Sequence, residues 1–290
     1  MVQAPMQEAV ADSKLVDRIG RVEILEAGIP CSGASRAGVT KRKLKRMEDH
    51  PLVGHLVVSV IQWVAALQPA VFLAENVPDY QHSASAAILR AWLSDAGYRV
   101  QEVVLNAAAF GSLEARVRWF MVAHPPELDI DLTGMVPRWC RRGQLKDHLD
   151  DITLDDGRYR EVNYLKAKAD RDAKQGKGFA MQLLEEKATA VSTLRKGYHK
   201  GGSTDPLLVH PARNDLFRKF TGTEHARIKG FPADLVAGLS ETRAHELLGQ
   251  SVLYAPLAAI GRRIGEALQS FARNSAVPQG IGYRLERATG

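Results

Sequence analysis

The chain has 290 residues, of which 45% are hydrophobic, 7% aromatic and 25% charged, and its net charge is +6. That length can bury a sizeable core, and the composition excludes disordered and collagen-like classes. With only two cysteines, Cys31 and Cys140, a disulfide scaffold is excluded and a reducing compartment is implied, while the basic balance favours a polyanionic partner.

From Met1 to Lys14 there is neither a basic leader nor an apolar core, so no signal peptide is read. Residues 22–25 form a short β-rich run that passes through Glu26-Ala27-Gly28 into a loop. A basic segment follows over 32–47, with Arg36, Lys41, Arg42, Lys43, Lys45 and Arg46. The most apolar stretch, 52–74, has the length of a membrane span but contains His55, Gln62, Gln68 and Pro69. Pro69 divides it into a helix over 52–67 and a strand over 70–73, the reading of a buried helix–strand unit. Residues 83–95 read as a second helix closed by Gly97, and strands follow at 99–105 and 119–123. This alternation implies an α/β fold with a mainly parallel, doubly wound sheet.

Beyond His124 the pattern changes. Residues 125–178 are polar and basic with poor periodicity, and a Lys/Arg run fills 158–177. Regular patterning returns near Phe179, and a last helix over 252–271 sets Leu257, Ile260, Ile264 and Leu268 on one face. The tail beyond Asn274 is expected to be loose. No internal repeat is present.

Strand ends at one edge of a parallel sheet are where α/β proteins place their sites. Two such ends hold unusual residues. In Gly28-Ile29-Pro30-Cys31, a stiff proline holds a cysteine at a strand end. Such a cysteine is either a nucleophile presented to a cleft or a small buried side chain, and this segment alone does not separate the two. In Glu75-Asn76-Val77-Pro78, a carboxylate follows an apolar run; it is a functional acid or, more commonly, a cap. A third segment, 106–120, holds Glu114-Ala115-Arg116-Val117-Arg118. Arginines two apart on one strand face the same side and suit phosphate or carbonyl recognition, or else form a solvated edge. Cys140 and the nine histidines show no metal spacing, so no metal site is assigned.

The motifs in order are Pro-Cys, Glu-Asn-Val, Asn-x-x-x-Phe-Gly with Arg-x-Arg, Arg227-Ile228-Lys229-Gly230-Phe231-Pro232, and Gly249-Gln250-Ser251-Val252. In that order, from about Val22 to Leu268, the chain resembles the cytosine-C5 DNA methyltransferase family. The resemblance implies a Rossmann-like methyltransferase sheet with a small target-recognition region. It divides the chain into a catalytic core over 1–124, completed by a helix at 244–274, and a region over 125–243 for target recognition and return to the core. It also implies DNA methylation of the restriction–modification kind. The cytosine is flipped from the duplex, Cys31 adds to its carbon 6, and carbon 5 takes a methyl from S-adenosylmethionine. Glu75 holds or protonates ring N3, and Arg118 and Arg116 contact the flipped nucleotide. Ser35 and Arg36 lie at the DNA, Asn76 braces the Pro-Cys loop, and Pro30, Leu56, Ser251 and Val252 line the cofactor pocket. Double-stranded DNA is the expected partner, and a bacterial or phage cytoplasm the expected setting.

The sequence departs from the family at several points. Ser32 and Ala34 stand where Gln and an aromatic are usual, and Gln250 stands where Asn is usual. Glu114 replaces a neutral amide, and its charge is expected to weaken base or phosphate contacts. No Phe-x-Gly-x-Gly-Gly turn precedes Cys31, so the first strands of the family's sheet are expected to be missing, and either a separately encoded N-terminal polypeptide is an expected partner or the chain is a truncated gene product. A catalytically silent DNA-binding remnant and an RNA cytosine methyltransferase are the alternative readings. Tyr159, Tyr164 and Tyr198 are either base-stacking or ordinary surface and core residues.

Overall fold

A computed structural model describes residues 3–30, 45–137, 140, 142–176 and 178–274. By internal contacts the chain divides into two compact units. The first comprises Met1–Leu105, Val117–Met135 and Ala259–Gly290; the second comprises Asn106–Arg116 and Val136–Ala258.

The first unit opens with two short helices, α1 (Met6–Ala11) and α2 (Ser13–Ile19), and then strand β1 (Ile24–Gly28). β1 extends three residues past the expected end because its parallel register with β2 (Val71–Asn76) runs from Ile24↔Val71 to Gly28↔Glu75. Helix α3 (Leu56–Leu67) begins four residues later than its apolar pattern. The chain turns tightly before it, and a Cβ on Gly54 would lie 2.0 Å from the Glu48 carbonyl oxygen. Its end is where expected, since Gln68 takes a left-handed φ of 45° and Pro69 follows. Helix α4 (Ala84–Asp95) starts on the Ser83 hydroxyl, which accepts from the Ala86 amide at 3.0 Å.

Strands β3 (Arg99–Asn106) and β4 (Val117–His124) complete a four-stranded sheet of order β1-β2-β4-β3. β4 runs antiparallel to β2, so the sheet is mixed rather than mainly parallel. A parallel return from β3 needs a crossover of a dozen or more residues, usually helical, whereas the ten residues available form a short 3-10 turn over Ala107–Phe110 and a loop. Phe72, Ala74, Trp119, Met121 and Ala123 belong to one buried cluster with Val57, Val60 and Val64 of α3 and Leu89 and Leu93 of α4. Leu73, Phe120 and Val122, which alternate with them on β2 and β4, are buried as well.

The second unit holds helix α5 (Asn163–Lys174), a small sheet of order β5-β6-β7 (Leu183–Leu184, Leu207–His210, Arg213–Arg218), and helices α6 (Gly222–Ile228) and α7 (Glu241–Gln250). Its main core gathers Leu113, Val191, Leu194, Tyr198, Phe220 and Ile228. The long helix α8 (Tyr254–Asn274) closes the described chain and buries Ile260 and Ile264 of its expected face. Among the described residues no helix is long and apolar enough to cross a membrane.

Candidate active site

β2 runs apolar from Val71 to Ala74 and ends in two polar residues, Glu75 and Asn76. Neighbours on a strand face opposite sides, so these two serve different partners. Asn76 lies opposite Trp119 of β4 and is buried. Its Nδ2 donates to the Ile29 carbonyl at 3.1 Å, and its Oδ1 accepts from the Val77 amide at 2.9 Å. The side chain therefore ties the end of β2 to the chain two residues before Cys31.

Glu75 lies opposite Phe120, which makes Arg118 its diagonal neighbour on the other face of the antiparallel pair. Arg118 Nε stands 2.8 Å from Glu75 Oε1, with side chains only 14% and 13% exposed. Arg118 Nη1 also donates to the Val117 carbonyl at 2.7 Å, which holds the guanidinium plane. A carboxylate and a guanidinium thus meet where parallel and antiparallel pairings share β2.

The two arginines do not share a strand. β4 begins at Val117, so Arg116 precedes it, and Arg116 Nη1 lies 3.8 Å from Glu114 Oε1 instead. Both side chains are buried. The Glu114 charge is met inside the protein: its Oε1 accepts from Lys229 Nζ at 3.3 Å, Oε2 lies 3.0 Å from the same ammonium, and both side chains are fully sealed. The sequence motif around Lys229 does not by itself point to this partner. An acid at an expected amide position, and a lysine between Ile228 and Gly230-Phe231, were the available signal.

Of the residues assigned to the cofactor, Pro30 is exposed just beyond β1 and Leu56 is buried in the first turn of α3, both in the first unit. Ser251 and Val252 are half-buried in the second unit, and the Ser251 hydroxyl donates to the Leu248 carbonyl at 2.8 Å. Among the described residues nothing lies within 4 Å of where a Cβ on Gly28 would sit. Gly249 is required for packing, since its Cβ would lie 2.1 Å from the Lys196 amide nitrogen. Cys31, Ser35 and Arg36 lie outside the described residues.

Sequence reasoning also missed a histidine pair in the second unit. His225 Nδ1 and His245 Nδ1 are 2.9 Å apart, and both rings are buried against Tyr198. Burial, with the Lys229, His245 and Arg116 charges adding to it, lowers His225 to about 2. Burial, reinforced by Lys219 and His199, lowers His245 to about 4. Tyr198 is a core residue, whereas Tyr164 is 61% exposed. Among the described residues no group of three or more His, Cys, Asp or Glu is placed to hold a metal ion.

β1 is the last strand on its side of the described sheet. Beside it runs an apolar groove of about 440 Å³, lined by Ile19, Ile24, Leu25, Val60, Trp63 and Leu67. Ile24 is 48% exposed.

Comparison with known proteins matches residues 7–266 to the C-5 cytosine-specific DNA methylase family. The Type II methyltransferase M.NlaX of Neisseria lactamica is 29% identical over 254 residues, covering 86% of this chain and 77% of that protein. The Type II methyltransferase M1.ScrFI of Lactococcus lactis subsp. cremoris is 26% identical over 257 residues, covering 85% of this chain but 63% of the relative. The fold is that of the Dnmt2 methyltransferase of S. pombe, at a TM-score of 0.67 and 17% identity over 94% of this chain and 85% of that one. The methyltransferase EhMeth of Entamoeba histolytica is similar, at a TM-score of 0.65 and 17% identity over 85% of this chain and 78% of that one. With residues 7–266 matched to the family model, and an α/β fold shared with solved methyltransferases, the chain belongs to the C-5 cytosine-specific DNA methylase family.

Proposed function

We propose that this chain methylates carbon 5 of cytosine in double-stranded DNA, as a modification methyltransferase of a restriction–modification system in a bacterial or phage-infected cytoplasm. The observation that carries the reading is the near-sealed Glu75–Arg118 pair at 2.8 Å, beside the Asn76 tie to the segment that leads into Cys31.

In this reading the cytosine leaves the duplex and is read on its Watson–Crick edge. The Cys31 thiolate forms a bond to carbon 6, and the displaced π electrons raise electron density at carbon 5. Glu75 holds ring N3 and stabilises the charge that gathers there. Arg118, held by Glu75 and the Val117 carbonyl, contacts the flipped nucleotide, with Arg116 as the second guanidinium. Carbon 5 bonds to the transferred methyl, a base removes the hydrogen at carbon 5, and the sulfur–carbon 6 bond breaks to free Cys31. S-adenosylmethionine would supply the electrophilic methyl from its sulfonium sulfur, which would keep the bonding electron pair as the neutral thioether product, and Pro30, Leu56, Ser251 and Val252 are the residues that would hold it. Ser35 and Arg36 bind the DNA backbone. Residues 125–243 contain the target-recognition region, and 1–124 with 244–274 form the core.

A complementing polypeptide belongs to the same proposal. Its support is the outer edge of β1, which pairs with no strand among the described residues, and the apolar groove beside it. Near-micromolar binding of S-adenosylmethionine to the purified chain without any partner would sink that part.

The test of the activity is a covalent trap. Duplex DNA bearing 5-fluorocytosine should crosslink to the chain in the presence of methyl donor, and Cys31→Ser should abolish the adduct. Absence of an adduct with duplex DNA, with or without added partner, rejects the reading in favour of a silent remnant. An adduct with transfer RNA alone reassigns the substrate.

A further inference from the structure

We propose that Tyr164, Lys200 and Lys219 form a contact surface for the nucleic acid, with the tyrosine ring laid against a nucleotide and the two ammonium groups against phosphates. The inference rests on the double-stranded DNA substrate proposed above. All three residues belong to the second unit, where they come from the first turn of α5, the 3-10 turn Tyr198–Lys200 and the residue after β7. They meet at Gly201. Its carbonyl accepts from the Tyr164 hydroxyl at 3.0 Å. A Cβ on Gly201 would lie 3.6 Å from that hydroxyl and 4.0 Å from Lys219 Cδ.

Tyr164 is arranged in the reverse of the usual way. A surface tyrosine ordinarily packs its ring and gives its hydroxyl to water. Tyr164 gives its hydroxyl to a main-chain carbonyl and is 61% exposed, so solvent meets chiefly the ring. Held at its tip, the ring loses little further freedom when a nucleotide covers it. The turn leading into Gly201 is fixed as well. The Tyr198 hydroxyl donates to the Pro206 carbonyl at 2.8 Å and accepts from the Phe220 amide at 3.0 Å, and Gly201 takes a left-handed φ of 69°. Charge completes the surface. Lys200 and Lys219 are both exposed, and Lys219 Nζ donates to the His199 carbonyl at 2.5 Å. That acceptor is neutral, so the ammonium keeps its charge and its remaining donors. Among the described residues neither lysine faces a carboxylate within ion-pair distance, unlike Arg195, which meets Asp205 at 2.8 Å. An exposed ring flanked by cations suits a nucleic acid, because stacking and phosphate charge then act together.

The test is the equilibrium affinity of the full chain for duplex DNA across a range of salt concentrations, with Tyr164→Ala, Tyr164→Phe, Lys200→Gln and Lys219→Gln. Tyr164→Ala is expected to weaken binding about tenfold with an unchanged salt slope, since a stacking contact releases no counterion. Tyr164→Phe, which restores the ring without the hydroxyl, is expected to recover affinity to within about threefold of the parent. Each lysine variant is expected to lower the slope of log affinity against log salt by about 0.9 in magnitude. Parent-like affinity in Tyr164→Ala, or a Tyr164→Phe as weak as Tyr164→Ala, would reduce the tyrosine to a latch on Gly201 and overturn the proposal. So would lysine variants that keep the parent slope. Melting temperatures of all four separate a loss of folding from a loss of binding. Affinity needs no turnover: a parent chain that binds DNA yet traps no cytosine would end the methyltransferase reading, while the same series still decides for or against this surface.

Discussion

The side-chain amide of Asn76 makes two hydrogen bonds out of contact with water, one to the Ile29 carbonyl and one to the Val77 amide. Asn76→Ala leaves both groups without those bonds, a loss of about 1–3 kcal/mol for buried polar atoms. We expect a lower melting temperature together with slower adduct formation at Cys31, because the chain entering that residue loses its tether. Asn76→Asp is expected to do little better: it can still accept from Val77, but an ionised carboxylate cannot donate to Ile29. Rapid mixing with 5-fluorocytosine DNA, compared at matched folded fraction, measures the second effect. An unchanged adduct rate would confine Asn76 to stability. Glu75, one residue earlier, has a different duty. Its neighbour Arg118 is fixed from two directions, so the geometry of the pair is set by the protein alone.

Helices α6 and α7 meet through the His225–His245 pair, and that contact makes their docking sensitive to acid. One Nδ1 donates its proton to the lone pair of the other, which suits two neutral rings and not two charged ones. Folding lowers both groups, to about 2 and about 4, so between about pH 6.5 and pH 4 the unfolded chain binds protons that the folded chain does not. Stability is therefore full above about pH 6.5 and is lost as the pH falls, by on the order of 2 kcal/mol at about pH 5 for His245. Denaturant melts at pH 8 and pH 5 should show the loss, and His245→Gln should reduce it by about half, since His225 keeps its own share. An equal loss in that variant would assign the effect to other groups.

The same scale shows what sequence could deliver. The end of α3 at Gln68-Pro69 and the start of α4 at Ser83 were legible, because local backbone chemistry sets them. So were the polar end of β2 and the tie from Asn76. The direction of β4 was not, because alternating strands and helices suggested parallel returns and hid a connection too short to make one. Helix α5 was read as an irregular basic stretch, since only Leu165 and Asp172 of its twelve residues are buried and the apolar stripe is too thin to register. The Glu114–Lys229 pair was beyond reach for another reason: its members lie 115 residues apart, and no local pattern joins them.

For the molecule as a whole, the net charge of +6 governs how it meets a polyanion. Part of the positive charge of the second unit is already paired, since Arg158, Arg195, Arg213 and Arg227 each face an aspartate. Surface pairs of this sort are weak and exchange readily for phosphates. Affinity for duplex DNA should therefore fall on the order of a hundredfold between about 50 and 200 mM salt, the behaviour of a protein making several phosphate contacts. Titrations at several salt concentrations measure the slope, and a flat response would remove DNA as the partner.

β2 pairs with both β1 and β4, and its last two residues point to opposite sides with different obligations. A slip of a single residue during assembly would thrust a carboxylate under the Trp119 ring and turn the amide toward Arg118, breaking the tether and the ion pair in one stroke. Mispaired chains would thus be penalised from both faces at once, and the fold carries its own proofreading at the place where its chemistry is expected.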